Sequence, residues 1–317
     1  MTRGGPPPSG LQFEISHGAQ HAVVVEFGGG LREYEVDGQP ILDGYAVDKM
    51  ADGGRGLPLL PWPNRLADGR YEFDGEQMQL PIDEIGRRNA IHGLTRWVNW
   101  TVAEQADDRV QMTYRLYPRP GYPFLLDLQI EYALDDAGLS VRTTAHNIGQ
   151  RRLPFGAGQH PYFTVGTDLI DATELQLPAQ TRLELDPEHR LPTGNSLPVA
   201  GTDFDFRQPK RVGSLVVDEC FADLVRDADQ RARVTLADPS SGKSLVVWMD
   251  ERYRYIQAFT GDTLLPDRRR RSLAIEPMTC PPNALRTGTD LIVLEPDESC
   301  TLTWGVSPSF DKAFTSR

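Results

Sequence analysis

The sequence predicts an all-β fold of antiparallel strands, and three observations support this prediction. Short segments with the alternation typical of strands recur along most of the 317 residues. Long segments with apolar residues at i, i+3, i+4 and i+7, which would indicate amphipathic helices, are absent. The 29 glycines and 25 prolines are spread along the chain and suit many turns. A β-sandwich or β-barrel is the architecture that such a pattern favours.

The predicted strands of the first half are separated by glycine and proline turns. His21 to Phe27 (HAVVVEF) and Leu31 to Val36 lie on either side of three consecutive glycines. Val110 to Tyr117 (VQMTYRLY) and Leu126 to Leu134 (LDLQIEYAL) alternate between apolar and polar residues, and the turn sequence PRPGYP lies between them. A further strand, Leu139 to Thr144, follows the turn sequence DDAG.

Five more strands are predicted in the second half: Arg233 to Leu236, Ser244 to Met249, Tyr255 to Phe259, Ser272 to Ile275 and Cys300 to Trp304. Residues 186–208 are rich in Pro, Gly and Asp and are expected to form a long loop. The density of predicted strands does not change sharply along the chain. We therefore expect one domain over residues 11–317, preceded by a disordered tail over residues 1–10 (MTRGGPPPSG).

Composition excludes several classes of partner. A formal net charge of -12 argues against binding to nucleic acid, which needs a basic face. No segment approaches the roughly 20 apolar residues that span a bilayer, and the N-terminus lacks the apolar part of a secretory signal. The three cysteines form no CxxC pair, and their odd number fits free thiols. These features predict a cytoplasmic monomer or homodimer that binds neither membranes nor nucleic acid.

Four segments place polar side chains among Gly, Pro and aromatic residues. They are Leu57 to Phe73 (LPLLPWPNRLADGRYEF), Asn89 to Trp100 (NAIHGLTRWVNW), Pro154 to Gly166 (PFGAGQHPYFTVG) and Leu273 to Ala284 (LAIEPMTCPPNA). In the last of them Glu276 follows an apolar run, and a carboxylate is costly to bury there without a purpose. Because the segments are far apart in the sequence, only the fold brings them together.

Taken in order, these segments resemble the galactose mutarotase (aldose 1-epimerase) family. The matching pattern is PNR, then GRYEFDG, a His-Gly pair, HPYF and IEPMTCPPNA, and the segment YPRPGYPF at residues 117–124 also fits. The resemblance extends from about Gly28 to Val306. It implies a super-sandwich of large antiparallel sheets with a sugar bound in an open cleft.

The resemblance also implies three catalytic residues. Glu276 in IEPMT corresponds to the general base, and His160 in HPYF corresponds to the general acid. His92 in AIHGL corresponds to a second active-site histidine. From the residues alone, each has a structural alternative: the histidines as buried, hydrogen-bonded groups, and the glutamate as the solvated end of a strand.

Three further residues are implied as ligands of sugar hydroxyl groups. They are Arg65 in PNR, Asp218 in the DECF segment and, as an additional candidate, Asn64 beside Arg65. Arginine offers a planar fork of donors that suits neighbouring hydroxyls. The structural alternatives are a salt bridge for Arg65 and an ordinary surface position for Asp218.

The reaction that the resemblance implies is the interconversion of the α and β anomers of a sugar. Ring opening removes the proton of the anomeric hydroxyl and protonates the ring oxygen, and a positioned base and acid each contribute about 10²–10⁴-fold. A carboxylate suits the base, and a protonated histidine, with its ordinary pKa of about 6.5, suits the acid. No redox step or group transfer occurs. We therefore expect no cofactor, and the sequence shows no metal-ligand cluster or phosphate-binding loop.

The substrate and the reaction have alternatives. Where the family usually has Gly after His-Gly this chain has Leu94, and where it usually has Asn after HPYF this chain has Thr164. One alternative is an epimerase of hexose 6-phosphates, with a basic pocket near His92 built by Arg87, Arg88 and Arg96. Others are a non-catalytic carbohydrate-binding protein, or a lyase or hydrolase, although hydrolysis normally uses two carboxylates. The run Arg268 to Arg271 is expected to be a solvated loop, with attraction of a phosphorylated sugar as the alternative.

Overall fold

Strands dominate residues 5–309, the part of the chain that the computed structural model describes. The first thirteen are β1 (Gln12–His17), β2 (Gln20–Val25), β3 (Leu31–Val36), β4 (Gln39–Pro40), β5 (Pro58–Leu59), β6 (Arg65–Ala67), β7 (Arg70–Phe73), β8 (Glu76–Gln79), β9 (Asn89–Ile91), β10 (Thr101–Gln105), β11 (Arg109–Leu116), β12 (Leu126–Asp135) and β13 (Gly138–Asn147).

The remaining strands are β14 (Leu153–Phe155), β15 (Gly158–Gln159), β16 (Tyr162–Phe163), β17 (Glu174–Gln176), β18 (Ala179–Leu185), β19 (Pro192–Pro198), β20 (Lys210–Arg211), β21 (Asp218–Leu224), β22 (Ala232–Ala237), β23 (Ser244–Met249), β24 (Tyr255–Phe259), β25 (Leu273–Met278), β26 (Ile292–Leu294) and β27 (Ser299–Ser309). The helical elements are short: two 3₁₀ turns at Ile85–Arg87 and Ile170–Ala172, and one α-helical turn at Ala284–Thr287. Within residues 5–309 none of them has the length and apolar character needed to cross a lipid bilayer.

Two large antiparallel sheets form the body of the fold. One has nine strands in the order β10-β11-β12-β13-β27-β23-β22-β17-β20. The other has eight strands in the order β19-β18-β21-β24-β25-β15-β5, and β16 also pairs with β25. A four-stranded sheet, β1-β2-β3-β4, and three two-stranded ribbons complete the set. This architecture confirms the all-β fold that the sequence pattern predicts and the antiparallel super-sandwich that the family resemblance implies.

The core lies between the two large sheets because one face of each sheet is apolar. On β12 the residues Leu128, Ile130 and Tyr132 are buried and alternate with more exposed neighbours. Hydrogen bonds also cross the interface: the Gln159 amide donates to the Tyr132 hydroxyl at 3.1 Å, and the Trp304 indole donates to the Gln159 carbonyl at 3.2 Å. The apolar contacts and these bonds hold the sheets together.

The eight-stranded sheet has a second, mixed face that positions the site. On β25, Leu273 and Ile275 belong to the core between the sheets. Met278, which has the opposite parity, packs in a separate small cluster with Cys220 and Tyr255. Because side chains alternate along a strand, Glu276 projects on the same side as Met278, away from the main core. All six residues of β25 are buried, so other parts of the chain cover both faces of this strand.

The sequence-based expectations differ from the structure at one predicted loop. Within residues 186–208, expected to be a long loop, Pro192–Pro198 forms β19. Among residues 5–309 this strand pairs only with β18, at the edge of its sheet, and an edge strand tolerates proline and exposed polar residues. Propensity therefore could not distinguish it from a loop.

The expected N-terminal tail falls partly outside the described residues, which begin at Gly5. Within the described part, Ser9 is buried, and its carbonyl accepts a hydrogen bond from the Phe27 N–H at 2.9 Å. The packed part of the chain thus begins before Leu11. Residues 310–317 of the expected domain also lie outside the described range.

Candidate active site

Strand register places His160 directly opposite Glu276. Gly158 on β15 pairs with Met278, and Tyr162 on β16 pairs with Ala274 in the same antiparallel register. His160 lies in the short connection midway between Gly158 and Tyr162. Nε2 of His160 lies 3.3 Å from Oε1 of Glu276, and the two side chains are only 7% and 3% exposed. An imidazole and a carboxylate thus meet in a buried position at the centre of the sheet face.

Burial changes the protonation of both groups. It lowers the pKa of His160 to about 3, together with a smaller effect of the Arg55 guanidinium. It also raises the pKa of Glu276 well above its usual range, with a smaller contribution from the Asp218 charge. In the free protein, burial thus disfavours the protonated histidine expected from the sequence as the acid, and it favours a protonated carboxyl group.

Each member of the pair also keeps one unused polar atom. Nδ1 of His160 and Oε2 of Glu276 are buried without a hydrogen-bond partner in residues 5–309. Buried polar atoms of this kind are rare in folded proteins, and those that do occur often belong to a functional site. The carboxyl group of Glu276 is thus ready to bond to a ligand.

His92 stands beside His160, and a backbone contact fixes its tautomer. The two imidazole rings meet edge to face with their centroids 5.4 Å apart. Nδ1 of His92 accepts a hydrogen bond from the Asn64 backbone N–H at 3.2 Å, so the ring proton of neutral His92 lies on Nε2. Burial lowers the pKa of His92 well below its usual value. His92 is therefore a neutral donor from Nε2.

His92, His160 and Glu276 have the residue types and the spacing of a metal site. Because they are far apart in the sequence, this grouping is visible only in the fold. Ligand atoms of His92, His160 and Glu276 lie within 4.8 Å of one another. The protonation of His92 does not fit a metal, however. A metal at Nε2 would require the ring proton to move to Nδ1, where the Asn64 N–H already points. The arrangement suits hydrogen bonding to a polar ligand better than metal coordination.

Arg65 begins β6 and is held by an acidic partner. Its Nε lies 2.9 Å from one carboxylate oxygen of Glu84, and its Nη2 lies 3.0 Å from the other. The side chain is 13% exposed, and Nη1 makes no hydrogen bond within residues 5–309. The bidentate contact with Glu84 thus fixes the direction of the Arg65 guanidinium and leaves Nη1 available for a ligand.

Asp218 begins β21 and contacts groups on both sides. Its Oδ1 accepts a hydrogen bond from the Gln257 amide at 2.7 Å, and its Oδ2 lies 3.5 Å from Nε of Arg190. Asn64 is almost fully buried, and its side-chain amide lies 3.5 Å from the Gln257 oxygen. Its own Oδ1 accepts from the Arg65 N–H at 2.9 Å. The structure therefore gives Asn64 bonds to three neighbours of the site, which position those neighbours.

Sequence reasoning missed Gln257 and Arg55. Gln257 pairs in register with Glu276 on one side and Cys220 on the other, so it stands in the middle of the same sheet face. It is one polar residue on an otherwise apolar strand, the signal that pointed to Glu276. Arg55 lies between glycines just before the PNR segment, and its contact with the HPYF segment is visible only in the fold.

Comparisons with known proteins give several relatives of this chain. A family model described as aldose 1-epimerase matches residues 12–307. The protein YihR of Escherichia coli is 36% identical over 288 residues, covering 90% of each chain. Galactose mutarotase of Rattus norvegicus is 34% identical over 158 residues, which cover 47% of this chain and 44% of the rat protein.

Solved structures show the same fold. The GalM/aldose epimerase homologue of C. elegans superposes with a TM-score of 0.85 at 19% identity, covering 95% of this chain and 99% of its own. Galactose 1-epimerase of Lactobacillus acidophilus superposes with a TM-score of 0.77 at 22% identity, covering 93% and 94%. The family contains enzymes of the isomerase type that act on sugars. On the match over residues 12–307, this chain belongs to the aldose 1-epimerase family.

Proposed function

We propose that this protein interconverts the α and β anomers of a free aldohexose. One observation carries the proposal: a buried imidazole and a buried carboxyl group, His160 and Glu276, meet with Nε2 and Oε1 only 3.3 Å apart. Mutarotation needs one proton donor and one proton acceptor at the same moment. A site that only binds a sugar needs neither.

The adjacency of the pair suits the chemistry of a hemiacetal. The anomeric hydroxyl and the ring oxygen are bonded to the same carbon, so an acid and a base that lie side by side reach both. Once the proton that burial favours on the carboxyl group has moved to His160, the Glu276 carboxylate takes the hydroxyl proton as the C–O bond of the ring breaks. His160 gives its proton to the ring oxygen, and an open aldehyde results. After rotation about the bond next to the aldehyde carbon, the two groups exchange roles and close the ring on its other face.

The neighbouring side chains supply recognition. His92 offers an N–H donor at Nε2, and Arg65 offers the Nη1 donor that Glu84 does not use. Asp218 contributes a partly exposed carboxylate as an acceptor for hydroxyl groups. These contacts hold the sugar in both anomeric forms, so they contribute mainly to binding. We expect the reaction to proceed without a cofactor, in a cytoplasmic monomer or homodimer.

The charges around the site favour a free sugar over a sugar phosphate. The three arginines considered for a phosphate pocket all have carboxylate partners: Arg96 with Asp83 at 2.7 Å, Arg88 with Asp68 at 3.1 Å and Arg87 with Glu84 at 3.6 Å. In the run at residues 268–271, Arg268 pairs with Asp43 and Arg270 with Asp171 and Asp262. Neutralised arginines attract a phosphate weakly.

Polarimetry of freshly dissolved sugars tests the proposal. We expect the purified protein to accelerate the approach of α-glucose, α-galactose or another free aldohexose to its anomeric equilibrium. Hexose 6-phosphates run in parallel test the alternative substrate, and calorimetry measures sugar binding. Binding of a sugar without acceleration would make the protein a carbohydrate-binding protein, and acceleration of the phosphates alone would establish the alternative epimerase.

A further inference from the structure

Two side chains form a stack behind His160. The imidazole of His160 lies nearly parallel to the Tyr162 ring, with an angle of 14° between the planes and 4.9 Å between the centroids. The guanidinium of Arg55 lies over the same Tyr162 ring, 4.2 Å from its centroid. The phenol ring thus contacts both the imidazole of His160 and a buried cation.

Arg55 is anchored more firmly than a surface arginine. It is only 2% exposed. Its Nε bonds to Asp52 at 3.0 Å, while its Nη1 bonds to the carbonyl of Asp43 at 2.7 Å and to the carboxylate of Asp43 at 3.0 Å. These charge-assisted bonds fix the orientation of the Arg55 guanidinium, and the guanidinium in turn restricts the orientation of the Tyr162 ring that it covers.

The segment that carries Arg55 also encloses the two rings. The Gly53 carbonyl accepts a hydrogen bond from the Tyr162 hydroxyl at 3.0 Å. Gly54 lies so close to His160 that an added Cβ would stand 2.9 Å from Cδ2 of the imidazole. The Gly56 N–H donates to the His160 carbonyl at 2.9 Å, and the His160 N–H donates to the Leu57 carbonyl at 3.1 Å. Residues 53–57 therefore hold both the backbone and the ring of His160.

We propose that Arg55 is a positioning residue for His160: its guanidinium fixes the Tyr162 ring, and this ring holds the imidazole in the plane in which Nε2 meets Glu276. The position of Nε2 matters because proton transfer depends steeply on geometry, and a displacement of about 1 Å can lower a rate about 100-fold. The kinetic consequence rests on the proposed function, whereas the positional consequence does not.

Arg268 provides a matched control for a merely structural role. It also pairs with Asp43, at 2.9 Å, but its guanidinium is not among the groups that stack on Tyr162 in residues 5–309. Arg268→Met therefore removes a cation from the same carboxylate and leaves the stack in place. Arg55→Lys keeps a positive charge near Asp43 and Asp52 but removes the planar group, and it is the variant least expected to unfold.

Steady-state kinetics on the best free aldohexose gives the first test. We expect Arg55→Lys and Arg55→Met to lower kcat by about 10- to 100-fold while KM changes less than about twofold. Arg268→Met should leave both constants within about twofold of the wild type. A wild-type kcat in Arg55→Lys would overturn the proposal, and so would an equal loss of kcat in Arg268→Met.

NMR of the free protein gives a second test that does not depend on activity. A stacked aromatic ring shifts the resonances of the protons above it, so loosening the Tyr162 ring should move the His160 ring-proton signals. We expect this shift in Arg55→Lys and not in Arg268→Met. Unchanged His160 signals in Arg55→Lys would overturn the positioning role. A wild-type protein without mutarotase activity would instead overturn the proposed function, and the NMR result would still decide the role of Arg55.

Discussion

The side-chain amide of Gln257 donates a hydrogen bond to Oδ1 of Asp218 at 2.7 Å. Gln257 is also the register partner of Glu276, so a neutral amide stands between two acidic side chains on the sheet face. The charge of Asp218 already contributes to the raised pKa of Glu276. Because the amide adds no charge of its own, it satisfies Asp218 without making Glu276 harder to ionise.

The first prediction concerns this amide. Gln257→Glu keeps the shape of the side chain but places a third carboxyl group beside Glu276. Repulsion between like charges should raise the pKa of Glu276 further, so the acidic limb of the kcat–pH profile should move to higher pH. Gln257→Met loses the hydrogen bond without adding charge, and its profile should keep the position of the wild type. Superimposable profiles for Gln257→Glu and wild type would contradict the prediction.

Arg65 and Glu84 give a prediction about binding. Glu84→Gln weakens the bidentate contact that fixes the Arg65 fork, so the free Nη1 should lose its preferred direction. If Arg65 contacts sugar hydroxyls equally before and during the reaction, KM should rise several-fold while kcat stays near the wild-type value. Asp68→Asn, which breaks the exposed pair with Arg88, is the control and should change neither constant. A loss of kcat at unchanged KM would assign Arg65 to the transition state instead.

The protonation of the buried pair predicts how the free energy of unfolding changes with pH in the wild type and in variants that lack one member of the pair. In the unfolded chain the histidine gains its proton below its ordinary pKa of 6.5, and the glutamate loses its proton above its ordinary pKa of 4.5. In the folded protein the lowered pKa of His160 and the raised pKa of Glu276 leave one proton on the pair throughout this interval. The two contributions therefore cancel between pH 4.5 and 6.5 in the wild type.

Replacing one member of the pair should remove that cancellation, and the free energy of unfolding should then change with pH in opposite directions in the two variants. Without the histidine, the folded His160→Asn variant binds more protons than its unfolded chain, so its free energy of unfolding should rise as the pH falls from 6.5 to 4.5. In Glu276→Gln the unfolded chain binds more protons, so stability should fall over the same interval. The limiting slope for one proton is about 1.4 kcal/mol per pH unit. Denaturant titrations at several pH values measure this slope. Parallel plots of the free energy of unfolding against pH for the three proteins would refute these protonation states of the pair.

The assembled histidines and carboxylate predict an outcome for metal removal. Because the Asn64 N–H holds the proton of His92 on Nε2, the three groups should not need a metal for activity. Dialysis against a chelator should leave kcat and KM unchanged, and metal analysis of the dialysed protein serves as the control. Loss of activity that a divalent ion restores would show that His92 adopts the other tautomer and that the site is a metal centre.

The sequence predicts those strands whose pattern is local, and it does not predict features that depend on contacts between distant segments. Local sequence pattern predicted Ser244–Met249 and Tyr255–Phe259 with the bounds that the structure has. It missed β19, because an exposed edge strand carries no apolar stripe. Local pattern therefore suffices for strands that bury one or both faces, and it fails where tertiary pairing alone makes the strand.

For the site, residue type was visible but environment was not. The motifs pointed to His160 and Glu276, and the fold brings these two into contact. Their pKa values depend on burial from all sides, which no local segment specifies. Gln257 contacts Asp218, and Arg55 contacts Tyr162, and the members of each pair are distant in the chain. Such residues become apparent only when the register of the strands is known.

The last prediction separates the two members of the pair from the residues that only bind. Glu276→Gln keeps the size of the side chain and removes the base, so kcat should fall by about 10²–10⁴-fold while sugar affinity changes little. His160→Asn should behave in the same way, because either change leaves half of a concerted pair. The double variant should be scarcely slower than either single variant, as expected of groups that act as a unit. Anomerisation rates from polarimetry and affinities from calorimetry decide the matter, with Asp218→Asn as the binding control. Normal turnover in Glu276→Gln would move the base elsewhere, and Asp218 would be the next candidate because it lies on the same sheet face, bonded through Gln257.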